Sequence, residues 1–202
     1  MKYVIMADGK MERWKKDCDI PKHLVKIGSE TLLERLVRQL NDLEKCETSD
    51  ITITSHDERY KCSNAKLYAP QNNVMEIDRF TWELIEDGVC FLYGDTFYSD
   101  EAINSIASVV TDEIHFVATR KAIVAVICED AKVMQENIRQ VKADYNRGLL
   151  KECKGWQLYY NYRDNWCHTQ ERKDDAFTLI EDETQGFNTL DEYNRFMEAG
   201  FK

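Results

Sequence analysis

The sequence predicts an α/β protein, a three-layer α/β/α sandwich built around a mostly parallel mixed sheet. Two observations carry that expectation. Strand and helix signals alternate through the first half, the pattern of parallel strands joined by crossover helices. The strand candidates Tyr3–Ala7 and Val89–Tyr93 are near-continuous apolar runs, as strands covered on both faces must be. With 202 residues, 43% of them hydrophobic and 32% charged, the chain is expected to form one domain with a core of ordinary size.

The elements follow in order. After the first strand, residues 8–27 are polar and rich in Lys and Asp, and read as a long loop. A helix follows, with Ser29 as its N-cap and Leu32, Leu33, Leu36, Val37, Leu40 and Leu43 along one stripe. Ile51–Thr54 and Lys66–Ala69 read as short strands, and Glu76–Glu86 as a helix stopped by Gly88. The strand Val89–Tyr93 ends at Gly94-Asp95. In the second half, Ile114–Ala118 and Ile123–Ile127 suggest a strand pair, and Ala131–Arg147 a helix ended by Gly148. Trp156–Asn161 reads as a strand and Leu190–Ala199 as a closing helix.

Composition excludes some roles. A net charge of −10 argues against a nucleic-acid partner, which needs a basic face, but leaves room for a small anion in a local cationic pocket. No apolar run approaches the roughly 18 residues of a membrane span, and Met1–Met6 lacks signal-peptide design. The seven cysteines are scattered without a C-x-x-C pair, which fits reduced thiols in the cytoplasm. Of the four histidines, none forms a metal-like pair, and His115 reads as structural.

In open α/β sheets, ligands bind in the crevice outside the carboxyl ends of the strands. Two features sit there. The first is the loop Ala7-Asp-Gly-Lys-Met-Glu-Arg13, continuing to Pro21-Lys-His-Leu24. Gly9 permits tight backbone geometry, while Lys10, Arg13 and Lys22 are cations suited to phosphates. The bland alternative is a solvated cationic loop. The second is Asp95, a hard oxygen ligand for Mg2+ or, alternatively, a cap for the element that follows.

Together these residues carry a family resemblance. Ile5-Met-Ala-Asp-Gly-Lys-Met-Glu-Arg13, followed by Pro21-Lys22-His-Leu24, resembles the L-A-A-G-x-G-x-R…P-K-x-L signature of the sugar nucleotidyltransferases and molybdenum-cofactor guanylyltransferases. Phe91-Leu-Tyr-Gly-Asp95 is similar to the family's strand ending in Gly-Asp. Phe187-Asn-Thr-Leu-Asp-Glu-Tyr193 resembles its closing D-x-D/N-T-P-E-D-L segment. The three motifs stand in the family's order across nearly the whole chain. The departures are Asp8 for the second Ala, Met11 for the second Gly, Gly186 and Asn188 at the closing acids, and Leu190 for Pro.

The resemblance implies a nucleotide-diphospho-sugar transferase fold with a Rossmann-like N-terminal half. Residues 1–110 would bind the nucleotide, and residues 111–202 the acceptor. It implies transfer of a nucleotidyl group from a nucleoside triphosphate to a phosphorylated small molecule, a sugar phosphate or phosphocholine-like acceptor, with Mg2+ and release of pyrophosphate. Arg13 and Lys22 would contact phosphates and Asp95 would hold the metal, with Asn188 as a secondary ligand and Asp8 a further candidate. Ala7, Asp8, Gly9, Lys10 and Gly94 would line the nucleotide. Asn72 and Asn73, in the segment Pro70–Arg79, are suited to pair with a base edge, or to cap a helix. The aromatic cluster of Trp156, Tyr159, Tyr160, Tyr162 and Trp166, with Arg163, falls in the acceptor half. Trp156, Tyr160 and Arg163 are the acceptor candidates, against the alternative of a core or interface cluster. Two other readings stand beside this one. A glycosyltransferase would need a D-x-D motif, which Gly94-Asp95-Thr96 is not. A non-catalytic nucleotide-binding protein would accommodate Asp8, Met11, Gly186 and Asn188.

Overall fold

The computed structural model describes residues 1–14, 18–43, 50–165 and 176–200. In chain order the strands and helices are β1 (Lys2–Met6), β2 (Lys26–Ile27), β3 (Glu30–Thr31), α1 (Leu32–Asn41), β4 (Ile51–Thr54), β5 (Lys66–Tyr68), β6 (Val89–Tyr93) and β7 (Thr96–Phe97). They continue with α2 (Asp100–Ala107), β8 (Ile114–Ala118), β9 (Ile123–Cys128), α3 (Ala131–Asn146), α4 (Gly155–Asn165), β10 (Phe177–Leu179), β11 (Gln185–Gly186) and α5 (Leu190–Ala199).

The main sheet has seven strands in the order β10-β8-β9-β6-β1-β4-β5. All neighbouring pairs are parallel except the two made by β9, so the sheet is mixed but mostly parallel, as expected. Alternate residues of β1 explain why its sequence is apolar throughout. Tyr3 and Ile5 join one core with Leu33, Leu36 and Ile103 of α1 and α2, while Val4 and Met6 join another with Met134, Ile138, Leu158 and Tyr162 of α3 and α4. Each fully buried side chain of this kind stabilises the fold by about 1.5–3 kcal/mol. An exposed ion pair such as Arg59–Asp57 contributes at most about 1 kcal/mol, so the layers decide the architecture. A third cluster of Trp14, Val25, Ile27, Leu32, Phe97 and Phe187 packs against Tyr193, Phe196 and Met197 of α5.

The chain steps from β1 to β4 and β5 on one side, then returns to place β6 on the other side of β1. The order reverses there, so the crevice of a doubly wound sheet opens at the carboxyl ends of β1 and β6. Gly94 N–H donates to the Met6 carbonyl at 3.1 Å and holds the two loops together. A Cβ at Gly94 would lie 3.0 Å from Ile5 Cγ2 and 3.1 Å from the Met6 carbonyl oxygen, so the close approach requires glycine.

Three expectations are corrected. Trp156–Asn161 lies in helix α4, not in a strand. After Gly155, its buried residues are Gln157, Leu158, Asn161 and Tyr162, a helical spacing that the aromatic content disguised. Residues 76–86 form two short 3-10 turns, Glu76–Arg79 and Trp82–Leu84, instead of one helix. Phe80, with ψ 72°, breaks the run as its ring packs edge-on to Phe91 at 5.4 Å. The N-cap of α1 is Thr31, which forms a capping box with Glu34; Ser29 instead belongs to the turn between β2 and β3, where Gly28 has φ 66°. The paired strands β8 and β9 and the helices α3 and α5 stand within a residue or so of their expected bounds. His115 in β8 meets Thr178 Oγ1 of β10 at 2.8 Å. Among the described residues no helix is long and apolar enough to cross a membrane.

Candidate functional site

The loop after β1 is anchored at both ends. Ala7 N–H donates to the Thr54 carbonyl at 3.2 Å, and the buried Trp14 donates its indole N–H to the Ile20 carbonyl at 2.7 Å. Between them, Met11 keeps a left-handed backbone, φ 54°, at the position where the signature has glycine. That conformation costs a non-glycine residue about 1–2 kcal/mol. The Met11 side chain packs against the third core cluster, and its Sδ lies 3.8 Å from the Tyr60 hydroxyl.

Pro21 leads into a short turn, Lys22–Leu24, that buries Lys22 and His23. Lys22 Nζ donates to Asp95 Oδ2, a buried ion pair joining the signature loop to the end of β6. Burial by itself would raise the Asp95 pKa, but Lys22, His23 and Arg79 together outweigh it and hold the carboxyl below its ordinary value. Burial drives His23 down to about 3; Asp95 opposes that shift, and Lys22 and Arg79 add to it. His23 is therefore neutral near pH 7, with Nδ1 at 3.0 Å from the Tyr60 hydroxyl, and Lys22 and Arg79 are the cations facing Asp95 there.

The closing segment arrives beside the same carboxylate. Gly186 in β11 pairs with Thr96 in β7, and Phe187 N–H donates to the Asp95 carbonyl at 2.9 Å. Asn188 follows, and its Oδ1 accepts from Arg13 Nη2 at 3.0 Å. Motifs at the two ends of the chain thus meet at one sheet edge.

The segment 70–75 closes over the loop from the other strand end. Asn73 donates to the Asp8 carboxylate at 2.7 Å, and Lys10 Nζ donates to the Val74 carbonyl at 3.4 Å. His56 binds the same carboxylate through its backbone N–H at 3.2 Å and through Nδ1 at 2.9 Å. Both Asp8 oxygens thus accept hydrogen bonds from protein groups. Asn72 is exposed.

Mg2+ usually takes one or two carboxylates plus substrate phosphates. Asp95 meets that minimum, because its Oδ1 has no hydrogen-bond partner among the described residues. Gly186 supplies no oxygen from its side chain, and the Asn188 oxygen faces Arg13. Among the described residues no group of three or more His, Cys, Asp or Glu side chains is gathered to hold a metal without substrate.

The acceptor candidates lie on α4. Trp156 packs edge-on to Tyr160 at 5.3 Å, and the Arg163 guanidinium lies 4.9 Å from the Tyr160 ring centre. Arg163 also pairs with Asp164. Both Trp156 and Tyr160 are exposed, whereas Tyr162 is core. Trp166 lies outside the described residues. Sequence reasoning missed Arg79, whose guanidinium lies against Gly9, and His56, which secures Asp8. Neither carries a local signal, since both reach the site only through the folding of distant segments.

Comparison with solved structures settles what this architecture is. The CTP:phosphocholine cytidylyltransferase of Streptococcus pneumoniae matches over 98% of both chains, with TM-score 0.57 and 13% identity. This chain has the nucleotide-diphospho-sugar transferase fold. A nucleoside-diphosphate-sugar pyrophosphorylase of Vibrio cholerae has the same fold, with TM-score 0.67 and 11% identity over 97% of this chain and 99% of its own. So does the UDP-glucose pyrophosphorylase of Acinetobacter baumannii, with TM-score 0.57 and 10% identity over 96% and 91%. No family model and no curated protein sequence matches the chain. In the nucleotide-diphospho-sugar transferase fold seen here, Lys22 pairs with Asp95 at the end of β6, and Arg13 pairs with Asn188 of the closing segment.

Proposed function

We propose that this chain is a nucleotidyltransferase, moving a nucleoside monophosphate group from a nucleoside triphosphate to a phosphorylated small molecule. The observation that carries the reading is the Lys22–Asp95 pair at the end of β6, beside which the closing segment, bonded to Asp95 through Phe187, presents Asn188 to Arg13. A phosphate oxygen of the acceptor attacks the α-phosphorus in line; the new P–O bond forms as the bond to the β-phosphate bridge breaks, and pyrophosphate leaves. Little covalent work falls to side chains, so positioning and charge neutralisation carry catalysis.

Lys22 is the main cation for the reacting phosphates, exchanging Asp95 for a phosphate oxygen when substrate arrives. Arg13 has the planar fork that grips phosphate, and its bond to Asn188 holds it in place until then. Ala7, Gly9, Lys10 and Gly94 line the triphosphate, while Asn72 reads the base; Asn73, with its amide on Asp8, orients that loop. Asp95 and Asn188 are the residues that would hold Mg2+, which supplies neutralisation of the triphosphate charge. Trp156, Tyr160 and Arg163 are suited to an acceptor such as a sugar phosphate or phosphocholine-like molecule. Cys18, Cys62, Cys90, Cys128 and Cys153 are free thiols, which suits work in the cytoplasm.

The test is pyrophosphate release from CTP, UTP, GTP, ATP and dTTP with Mg2+ and a panel of phosphorylated acceptors, alongside a thermal-shift screen. Release that needs Mg2+ and is lost in Asp95→Asn supports the reading. A second reading, nucleotide binding without turnover, is favoured by Gly186 and Asn188, which bring no carboxylate beside Asp95. A thermal shift with one nucleotide but no pyrophosphate would select it.

A further inference from the structure

Arg79 stands out among the cations near the crevice. A Cβ built on Gly9 would lie 3.0 Å from its Nη2, 3.2 Å from Cζ and 3.4 Å from Nε, so the guanidinium occupies the space beside Gly9 in the signature loop. Its neighbours Ile77, Asp78 and Phe80 are all buried, and Ile77 N–H is tied to the Cys153 carbonyl at 3.2 Å. The Asp78 carboxylate caps Val74 and Met75 N–H and pairs with Lys142 of α3. The backbone that presents Arg79 is therefore held firmly. The Arg79 guanidinium makes no hydrogen bond or ion pair among the described residues; it faces Asp95, whose carboxylate is bonded by Lys22, while Asp8 is bonded by His56 and Asn73.

A half-buried guanidinium that faces Asp95 without bonding to it, lying over a glycine of the signature loop, has its donors open to an incoming anion. Its position also answers a problem set by the sequence. Asp8 places a negative charge next to Gly9, where a triphosphate would lie, and Arg79 covers that same glycine with a positive charge.

We infer that Arg79 is a substrate-binding residue for the β- and γ-phosphates of the nucleoside triphosphate and for the pyrophosphate that leaves. This rests on the nucleotidyl-transfer reading and adds to it a phosphate contact supplied by the segment that carries Asn72 and Asn73. Gly9 is then required because it makes room for the guanidinium, in addition to any demand of its own backbone.

Titration calorimetry with inorganic pyrophosphate and with the five common nucleoside monophosphates, on wild type, Arg79→Ala, Arg79→Lys and Gly9→Ala, tests the inference. Arg79→Ala should weaken pyrophosphate binding by about tenfold or more while changing monophosphate binding by no more than about twofold, with Arg79→Lys between it and wild type. Gly9→Ala should push the guanidinium aside and imitate Arg79→Ala without removing its charge. Unchanged pyrophosphate affinity in a folded Arg79→Ala, or equal losses for both ligands, overturns the inference. If wild type turns over nucleotide and Arg79→Ala binds pyrophosphate equally well, this inference alone fails. If wild type binds neither nucleotide nor pyrophosphate, the nucleotidyl-transfer reading fails with it.

Discussion

Asn73 donates its side-chain amide to the Asp8 carboxylate at 2.7 Å, linking the loop after β1 to a segment 65 residues further along the chain. With His56 on the same carboxylate, the acid that departs from the family signature acts as a clasp. Asp8→Ala should remove the side-chain acceptor shared by Asn73 and His56, leaving Asn73 only the residue 8 carbonyl, and cost about 0.5–1.5 kcal/mol at this part-exposed position. Hydrogen exchange is the sharper readout. Amides of residues 71–75 should exchange faster in the variant, and unchanged protection there would mean the clasp does not hold the segment.

The Lys22–Asp95 pair calls for a different experiment. Both side chains are largely buried, so removing one partner strands the other charge. Lys22→Met should destabilise the fold by about 3–5 kcal/mol, and adding Asp95→Asn should recover part of that loss. Denaturant melts of the two single variants and the double variant give the coupling. Additive losses would show that the pair does not interact in solution.

Acid should unfold the protein early, and His23 is the main reason. Its folded pKa, about 3, lies below the ordinary 6.5, so between those values the unfolded chain binds a proton that the folded chain refuses. Stability therefore falls as pH drops from about 6.5 towards 3, by roughly 4 kcal/mol in total. Asp95 adds to this lower down, because a carboxyl held below 3.8 contributes stability that is lost as pH falls through its folded pKa. In His23→Gln the slope between pH 6.5 and 4 should flatten in urea melts across pH, leaving the fall at lower pH in place.

Met11 offers a test of backbone strain that is separate from packing. Met11→Ala and Met11→Gly both remove the side chain from the third core cluster, but only glycine relieves φ 54°. Met11→Gly should be more stable than Met11→Ala by about 1 kcal/mol in thermal or denaturant melts. At an ordinary helix or strand position the order would be reversed, so the sign decides.

Much of the candidate site's placement was legible because its residues lie in short runs at strand ends. Lys22 and Asp95 each belong to a motif next to a recognisable strand, and a parallel sheet places both at its carboxyl edge. Arg13 and Asn188 are 175 residues apart, and their meeting depended on three motifs keeping the family's order. Where prediction erred, local composition misled: the aromatic run at α4 resembles a strand, and Ser29 resembles a cap until Gly28 turns the chain.

By itself, the sequence determined the layers, since burial on both faces demands unbroken apolar strands and one-sided burial demands helical stripes. It also determined that the cations Lys10, Arg13 and Lys22 and the carboxylate of Asp95 follow those strands. Only the tertiary structure decided what those charges do at rest. Lys22 neutralises Asp95, Asp8 is bonded by His56 and Asn73, and the Arg79 guanidinium is left against Gly9 with no hydrogen bond among the described residues. Charge pairing acts over a few ångströms between residues dozens of positions apart, and no local pattern in a chain encodes which of them will meet.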